Sequence, residues 1–190
     1  MNTALHRNST RLRDYDYASS GAYYVMICTA QRAHLFCEIK DGQMILNDVG
    51  RIALEEWRAS ARIRAELALD EFIIMPNHVH DLVWILEDHQ TVFAHASTAS
   101  GVGATGRSPL RGNVAAGPAK KPLGAFVANF KAVATKRARA TLSNADLHIW
   151  QRGYHDHVVR NTSDLERIRT YISTNPLEWH LDEYAVAVAA

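Results

Sequence analysis

The chain carries two His-x-His triplets, His78-Val79-His80 and His155-Asp156-His157. In a β-strand alternate side chains share a face, so either pair can offer two imidazoles to one divalent cation. The chain has ten histidines, so such a pair also arises by chance, and a choice between the two needs a further group. Tyr171 and Asn175 supply it, because residues four apart stack on one face of a helix. A tyrosine phenol beside a cation is a competent nucleophile toward a phosphodiester, since the cation polarises the phosphoryl oxygens and favours the phenolate. The neutral amide oxygen of Asn175 suits Mg²⁺ or Mn²⁺ as a third ligand beside His78 and His80. The plainer alternative makes Tyr171 a half-buried residue with a satisfied hydroxyl and Asn175 a helix C-cap before Pro176. Tyr154, beside the second triplet, competes for the nucleophile's role. A capped helix is the more rigid mount and sets Asn175 in register with Tyr171.

The elements that must hold these groups can be read from periodicity. Residues 22–29 (AYYVMICT) are β-branched and aromatic and predict a buried strand. Asn47 or Asp48 is placed to cap a helix of about four turns, in which Val49, Ile52, Ala53 and Trp57 recur at helical spacing. Residues 71–75 (EFIIM) predict a strand ended by Pro76-Asn77, and residues 78–86 (HVHDLVWIL) a second strand following directly as a hairpin. Asp81 then points away from the face of His78 and His80. Leu123, Phe126, Val127, Phe130, Val133 and Ala134 predict a second amphipathic helix. Residues 150–160 (WQRGYHDHVVR) predict another strand, with Tyr154 packed in it. Ser163 and Glu166 have capping-box spacing for a last helix through Leu165, Ile168 and Ile172, which Pro176 is expected to close. The order β-α-β-β-α-β-α is that of an α+β, ferredoxin-like core with an antiparallel sheet plus a C-terminal helix.

At 190 residues this describes a single domain over 1–190, with no apolar run long enough for a membrane span. Met1 to Arg13 contains no apolar stretch resembling a signal peptide, so a cytoplasmic location is expected. Cys28 and Cys37 offer neither a disulfide framework nor a CxxC zinc site. The net charge of +1 hides an uneven distribution. From His89 to Ala145 there is no Asp or Glu but eight cations, leaving about −7 for the remainder. One region can therefore attract phosphates although the whole is near neutral. Lys131, Lys136, Arg137 and Arg139 are the helix cations expected to meet DNA phosphates, with Arg11, Arg13 and Arg160 as secondary candidates. The segment at about 89–122 is rich in Gly, Ala, Ser and Pro and reads as a flexible basic insertion.

Several separated motifs occur together. Residues 11–17 (RLRDYDY), 21–29 (GAYYVMICT) and 75–80 (MPNHVH), then 150–154 (WQRGY), Arg160-Asn161, Asp164-Leu165 and 171–176 (YISTNP), follow one another in order. The chain thereby resembles the REP-associated tyrosine transposases of the single-tyrosine HUH superfamily, over nearly its whole length outside the insertion. The resemblance implies a ferredoxin-like enzyme that cuts single-stranded DNA near imperfect hairpins, forms a 5′-phosphotyrosine and releases a 3′-hydroxyl. It implies that His78 and His80 are the metal pair, Tyr171 the nucleophile and Asn175 the polar residue completing the site. The implied cofactor is Mg²⁺ or Mn²⁺, the partner single-stranded or hairpin DNA, and the favoured state a monomer. The insertion is longer than in compact members. Two alternatives share parts of this reading: a domesticated hairpin DNA-binding module without cleavage, and a metal-dependent hydrolase of small phosphoesters using activated water.

Overall fold

The computed structural model describes residues 12, 14–87, 122–181 and 185. In chain order the elements are β1 (Gly21–Cys28), β2 (Cys37–Lys40), β3 (Gln43–Leu46), α1 (Asp48–Ile63), β4 (Leu67–Ile74), β5 (His78–Ile85), α2 (Leu123–Thr141), β6 (His155–Val158) and α3 (Thr162–Glu178). Strands β4, β5, β1 and β6 form one antiparallel sheet in that order, the arrangement expected of a ferredoxin-like α+β fold. Because side chains alternate across a strand, the central pair β1 and β5 sends one set of residues to each face. Tyr23, Val25 and Ile27, with Val79, Val83 and Ile85, are buried against α1 and α2. There Trp57 stacks on Phe72 with ring centroids 4.8 Å apart and receives the edges of Phe126 and Phe130. On the other face Ala22 and Leu82 join Ile73 and Met75 beneath Ile168 and Ile172 of α3.

Several local expectations are corrected. The β2–β3 hairpin was not anticipated, although Asp41 (φ 52°) and Gly42 (φ 71°) form its turn and Asp-Gly is a strong hairpin signal. Strand β4 begins at Leu67 rather than at residue 71, with a register irregularity between Leu69 and Phe72. The strand expected over 150–160 shrinks to β6, because Gly153 takes φ 78° and Trp150 makes only an isolated bridge to Thr29. Val133 lies on the exposed side of α2, whose buried stripe continues instead through Ala134 and Ala138. Asn47 caps α1, its side chain accepting from the Gly50 N–H. For α3 the cap is Asn161, not Ser163. Asn161 is extended as the chain leaves β6 and accepts from the Asp164 N–H, while Glu166 turns to Arg169. Pro176 does not stop α3, which runs on to Glu178: in the last turn a proline forfeits a single backbone hydrogen bond. The insertion at about 89–122 lies outside the described residues except for Pro122, as do Arg11 and Arg13. No helix among the described residues is long and apolar enough to cross a membrane.

Candidate active site

His78 opens β5 and His80 follows it on the same face, opposite Cys28 and Met26 of β1. Both are fully buried, with their Nε2 atoms 2.8 Å apart. The Met75-Pro76-Asn77 turn that delivers them is pinned from outside. Pro76 O accepts the N–H groups of Leu35 and Phe36, and Asn77 O accepts the N–H and hydroxyl of Thr29. The Asn77 amide donates to Arg32 O at 3.2 Å, which turns its Oδ1 toward His78 Nδ1 at 2.8 Å. An amide oxygen only accepts, so the proton of His78 sits on Nδ1 and its Nε2 carries the lone pair. His80 Nδ1 lies 2.7 Å from the Tyr24 hydroxyl. A phenol can donate or accept, so Tyr24 serves His80 in either tautomer, including the one that frees both Nε2 lone pairs for a cation. Burial, followed by the nearby Arg32 charge, lowers the His78 pKa to about 3. Burial and the neighbouring His78 also hold His80 well below its ordinary value. Both rings are therefore neutral near pH 7, the form that binds metal.

Helix α3 covers this pair. Its apolar stripe, Ile168 and Ile172, seats on the sheet, and Arg169 fixes its rotation through two hydrogen bonds to Asp70 of β4, at 3.0 and 2.6 Å. Trp84 Nε1 donates to the same carboxylate at 2.8 Å. Burial raises the Asp70 pKa, but the hydrogen bonds and charge from Arg169, with Trp84, outweigh it, and the net shift is downward. This clamp sets Tyr171 over the histidines, with its ring 5.2 Å from that of His80 and 42% of the residue exposed. Two turns further on, Trp179 lies 5.9 Å from His78. Asn175, one turn from each, sits on the helix face between them. It is 4% exposed, and its Oδ1 is buried without a hydrogen-bond partner among the described residues. Such an oxygen costs about 1–3 kcal/mol when nothing takes it up. Two neutral imidazoles and an orphaned amide oxygen fit a divalent cation. No cluster of three His, Cys, Asp or Glu residues that could hold a metal occurs among the described residues.

The second triplet occupies the same face on β6, with β1 lying between the two pairs. His157 and His155 pair with Tyr24 and Met26 across β1, and with Tyr171 they line a cavity of about 450 Å³. His157 Nε2 is 2.8 Å from Asp164 Oδ2 in the first turn of α3, and Arg167 reaches Asp164 Oδ1 at 2.5 Å. The hydrogen bond from His157, with Arg167 and the Arg160 N–H helping against burial, lowers the Asp164 pKa to about 2. Tyr154 precedes β6 and packs on the opposite core, so the two candidate tyrosines lie on different faces of the sheet. Asp81 points away from the histidines as expected, but into the main core opposite Val25. There both of its oxygens lack partners among the described residues, and burial drives its pKa well above the ordinary value.

The helix cations do not gather at this site. Lys131, Lys136, Arg137 and Arg139 all belong to α2, on the other side of the sheet. Lys131 donates to the carbonyls of Gln151 and Gly153, and burial lowers its pKa to about 8. Arg137 pairs with Glu55 and Glu56 of α1, and Arg139 Nε donates to Leu147 O at 3.0 Å. Lys136 is exposed and borders a shallow hollow with Thr135 and Ser143. Arg160 is exposed between β6 and α3. Sequence reasoning missed the supporting groups Asn77, Tyr24, Trp179, Arg169 and the His157–Asp164 pair. Strand alternation could have placed Tyr24 beside His80. The Asp70–Arg169 contact spans 99 residues and has no local signal.

No protein-family model matches the chain. A Haemophilus influenzae relative, described only as an uncharacterized protein, is 34% identical over 181 residues, covering 95% of this chain and 94% of its own. A solved structure of the REP-associated tyrosine transposase bound to a REP hairpin superposes with a TM-score of 0.54 at 15% identity, covering 88% of this chain and 73% of that one. The chain thus belongs to one family with the Haemophilus influenzae protein, and its fold is that of the REP-associated tyrosine transposase, whose motifs its sequence resembles.

Proposed function

We propose that this chain is a metal-dependent single-stranded DNA endonuclease and strand transferase, a transposase that cleaves near hairpin DNA through a 5′-phosphotyrosine on Tyr171. The observation that carries the reading is the half-exposed Tyr171 ring 5.2 Å from His80, above two buried neutral imidazoles and an Asn175 oxygen without a hydrogen-bond partner among the described residues. His78, His80 and Asn175 are the residues that would hold Mg²⁺ or Mn²⁺. When bound, the cation would withdraw charge from the non-bridging phosphoryl oxygens and favour the phenolate. The chain's own work is positional. Asn77 and Tyr24 orient the imidazoles, Trp179 and the apolar seat of α3 keep bulk water from them, and the Arg169 clamp holds the phenol for attack. The hairpin bound by the structural neighbour supports hairpin DNA as the substrate class.

The test is incubation with single-stranded DNA carrying the hairpin found beside the chain's own gene, with Mg²⁺ or Mn²⁺, followed by intact mass. Wild type is expected to gain a DNA-sized mass, Tyr171→Phe to lose it entirely, and Tyr154→Phe to keep it. Loss only in Tyr154→Phe moves the nucleophile to the other face. Salt-sensitive binding without any adduct points to a hairpin-binding module that does not cleave.

A further inference from the structure

We propose that His157, held by Asp164, is the proton carrier of strand transfer: it protonates the departing 3′-oxygen when Tyr171 attacks and accepts that proton again when a 3′-hydroxyl reverses the step. This rests on the strand-transferase reading above and adds a residue to it.

Breaking a P–O3′ bond leaves an alkoxide, which departs poorly unless it is protonated as it leaves, and positioned acids typically contribute 10²–10⁴-fold to such steps. The imidazoles of His78 and His80 are fully buried, and their ring nitrogens are engaged with each other, Asn77 and Tyr24. The residue that lines one cavity with Tyr171 and also has a carboxylate behind its ring is His157. Asp164 engages Nε2 at 2.8 Å, which orients the ring and leaves Nδ1 as the nitrogen for exchange. Asp164 is itself kept anionic by Arg167 at 2.5 Å and the Arg160 N–H. His157 comes from β6, and Asp164 from the first turn of the helix that carries Tyr171. A cavity of about 450 Å³ with Met26 and Ile168 among its walls offers an apolar surface for a sugar and base.

The step balances within the site and solvent. The Tyr171 Oη–P bond forms and P–O3′ breaks. The Nδ1 proton passes to the 3′-oxygen, leaving a neutral imidazole, and the phenol proton goes to water. In rejoining, Nδ1 takes the proton of the attacking 3′-hydroxyl while the phenolate leaves and is reprotonated.

The test compares the hairpin-bearing single strand with the same strand carrying sulfur in place of the bridging 3′-oxygen at the scissile phosphate, both in Mn²⁺ buffer. A thiolate leaves without a proton, so its rate is insensitive to a missing acid. His157→Ala is expected to form adduct 10²–10⁴-fold more slowly than wild type on the oxygen strand and within a few-fold of wild type on the sulfur strand. His157→Gln, which keeps a hydrogen-bonding side chain facing Asp164, is expected to be rescued equally and guards against a folding defect. A defect that persists on the sulfur strand in both variants, or rescue seen only for His155→Ala, overturns the assignment. If wild type forms adduct with neither strand, the strand-transferase reading itself falls, and this proposal with it.

Discussion

The two faces of the sheet are drawn from the same strands and differ in almost every physical respect. Toward α1 and α2, β1 and β5 present Tyr23, Val25, Ile27, Val79, Val83 and Ile85, sealed by the Trp57 aromatic cluster. Toward α3, the alternate residues are Tyr24, Met26, His78 and His80, beneath a helix whose tyrosine is half open to solvent. A two-residue period thus lets eight-residue strands build a core and a reactive surface at once. The rigid face positions the other: the histidines can be held without solvent because the strand bearing them is locked from behind. The helix cations also follow this division, since they belong to the core-side layer, where Lys131, Arg137 and Arg139 are engaged by carbonyls and glutamates.

The largest expected test of that contrast is acid. The unfolded chain protonates its histidines near pH 6.5, whereas folded His78 resists until about pH 3. Between those values the unfolded state binds more protons, so stability falls as pH drops, by on the order of 5 kcal/mol for His78 if fully expressed. Asp164 adds to the loss as pH falls below the ordinary aspartate range toward its pKa of about 2. Urea unfolding across this pH range measures it, and a flat profile would mean that the imidazoles are not buried as described.

Trp57→Ala attacks the opposite face and is expected to cost about 3–5 kcal/mol, read by the same denaturation. A loss below about 1 kcal/mol would remove the aromatic cluster from the centre of the core. Asp81 blurs the contrast, being a carboxyl on the apolar face without a hydrogen-bond partner among the described residues. Asp81→Val is expected to raise stability at pH 7 by about 1–3 kcal/mol, and destabilisation would show that the carboxyl has a partner in solution. Tyr24→Phe is the smallest change: it keeps the ring and removes the hydroxyl on His80. Calorimetric titration with Mn²⁺ should find affinity lower by about 10-fold with the fold unaltered.

How much of this was legible in sequence depends on range. The His78-Val79-His80 face, the α3 face of Tyr171 and Asn175, and the layer order all follow from local periods of two and of about 3.6. Local signals misled where two residues offered the same service. Asn161 and Ser163 can both cap a helix, and the exit angle of β6 selects Asn161. Pro176 reads as a terminator, yet a helix already seated by Ile172 and continued by Trp179 carries it in its last turn. Asp70 beneath Arg169, 99 residues away, arises from tertiary packing alone. For the same reason charge density along the chain gave the cations of α2 no address relative to the site.

The attachment of Arg169 to β4 has a mechanical consequence. It grips α3 on one flank through a two-point contact, while Tyr171 projects from the other flank and Ile168 and Ile172 form the line between them. In the proposed phosphotyrosine intermediate, tension on a DNA strand joined to Tyr171 would act as a torque about that line, and the guanidinium–carboxylate pair is the counter-hold that would resist it. Without that hold the helix would roll, carrying Asn175 out of line with the histidines.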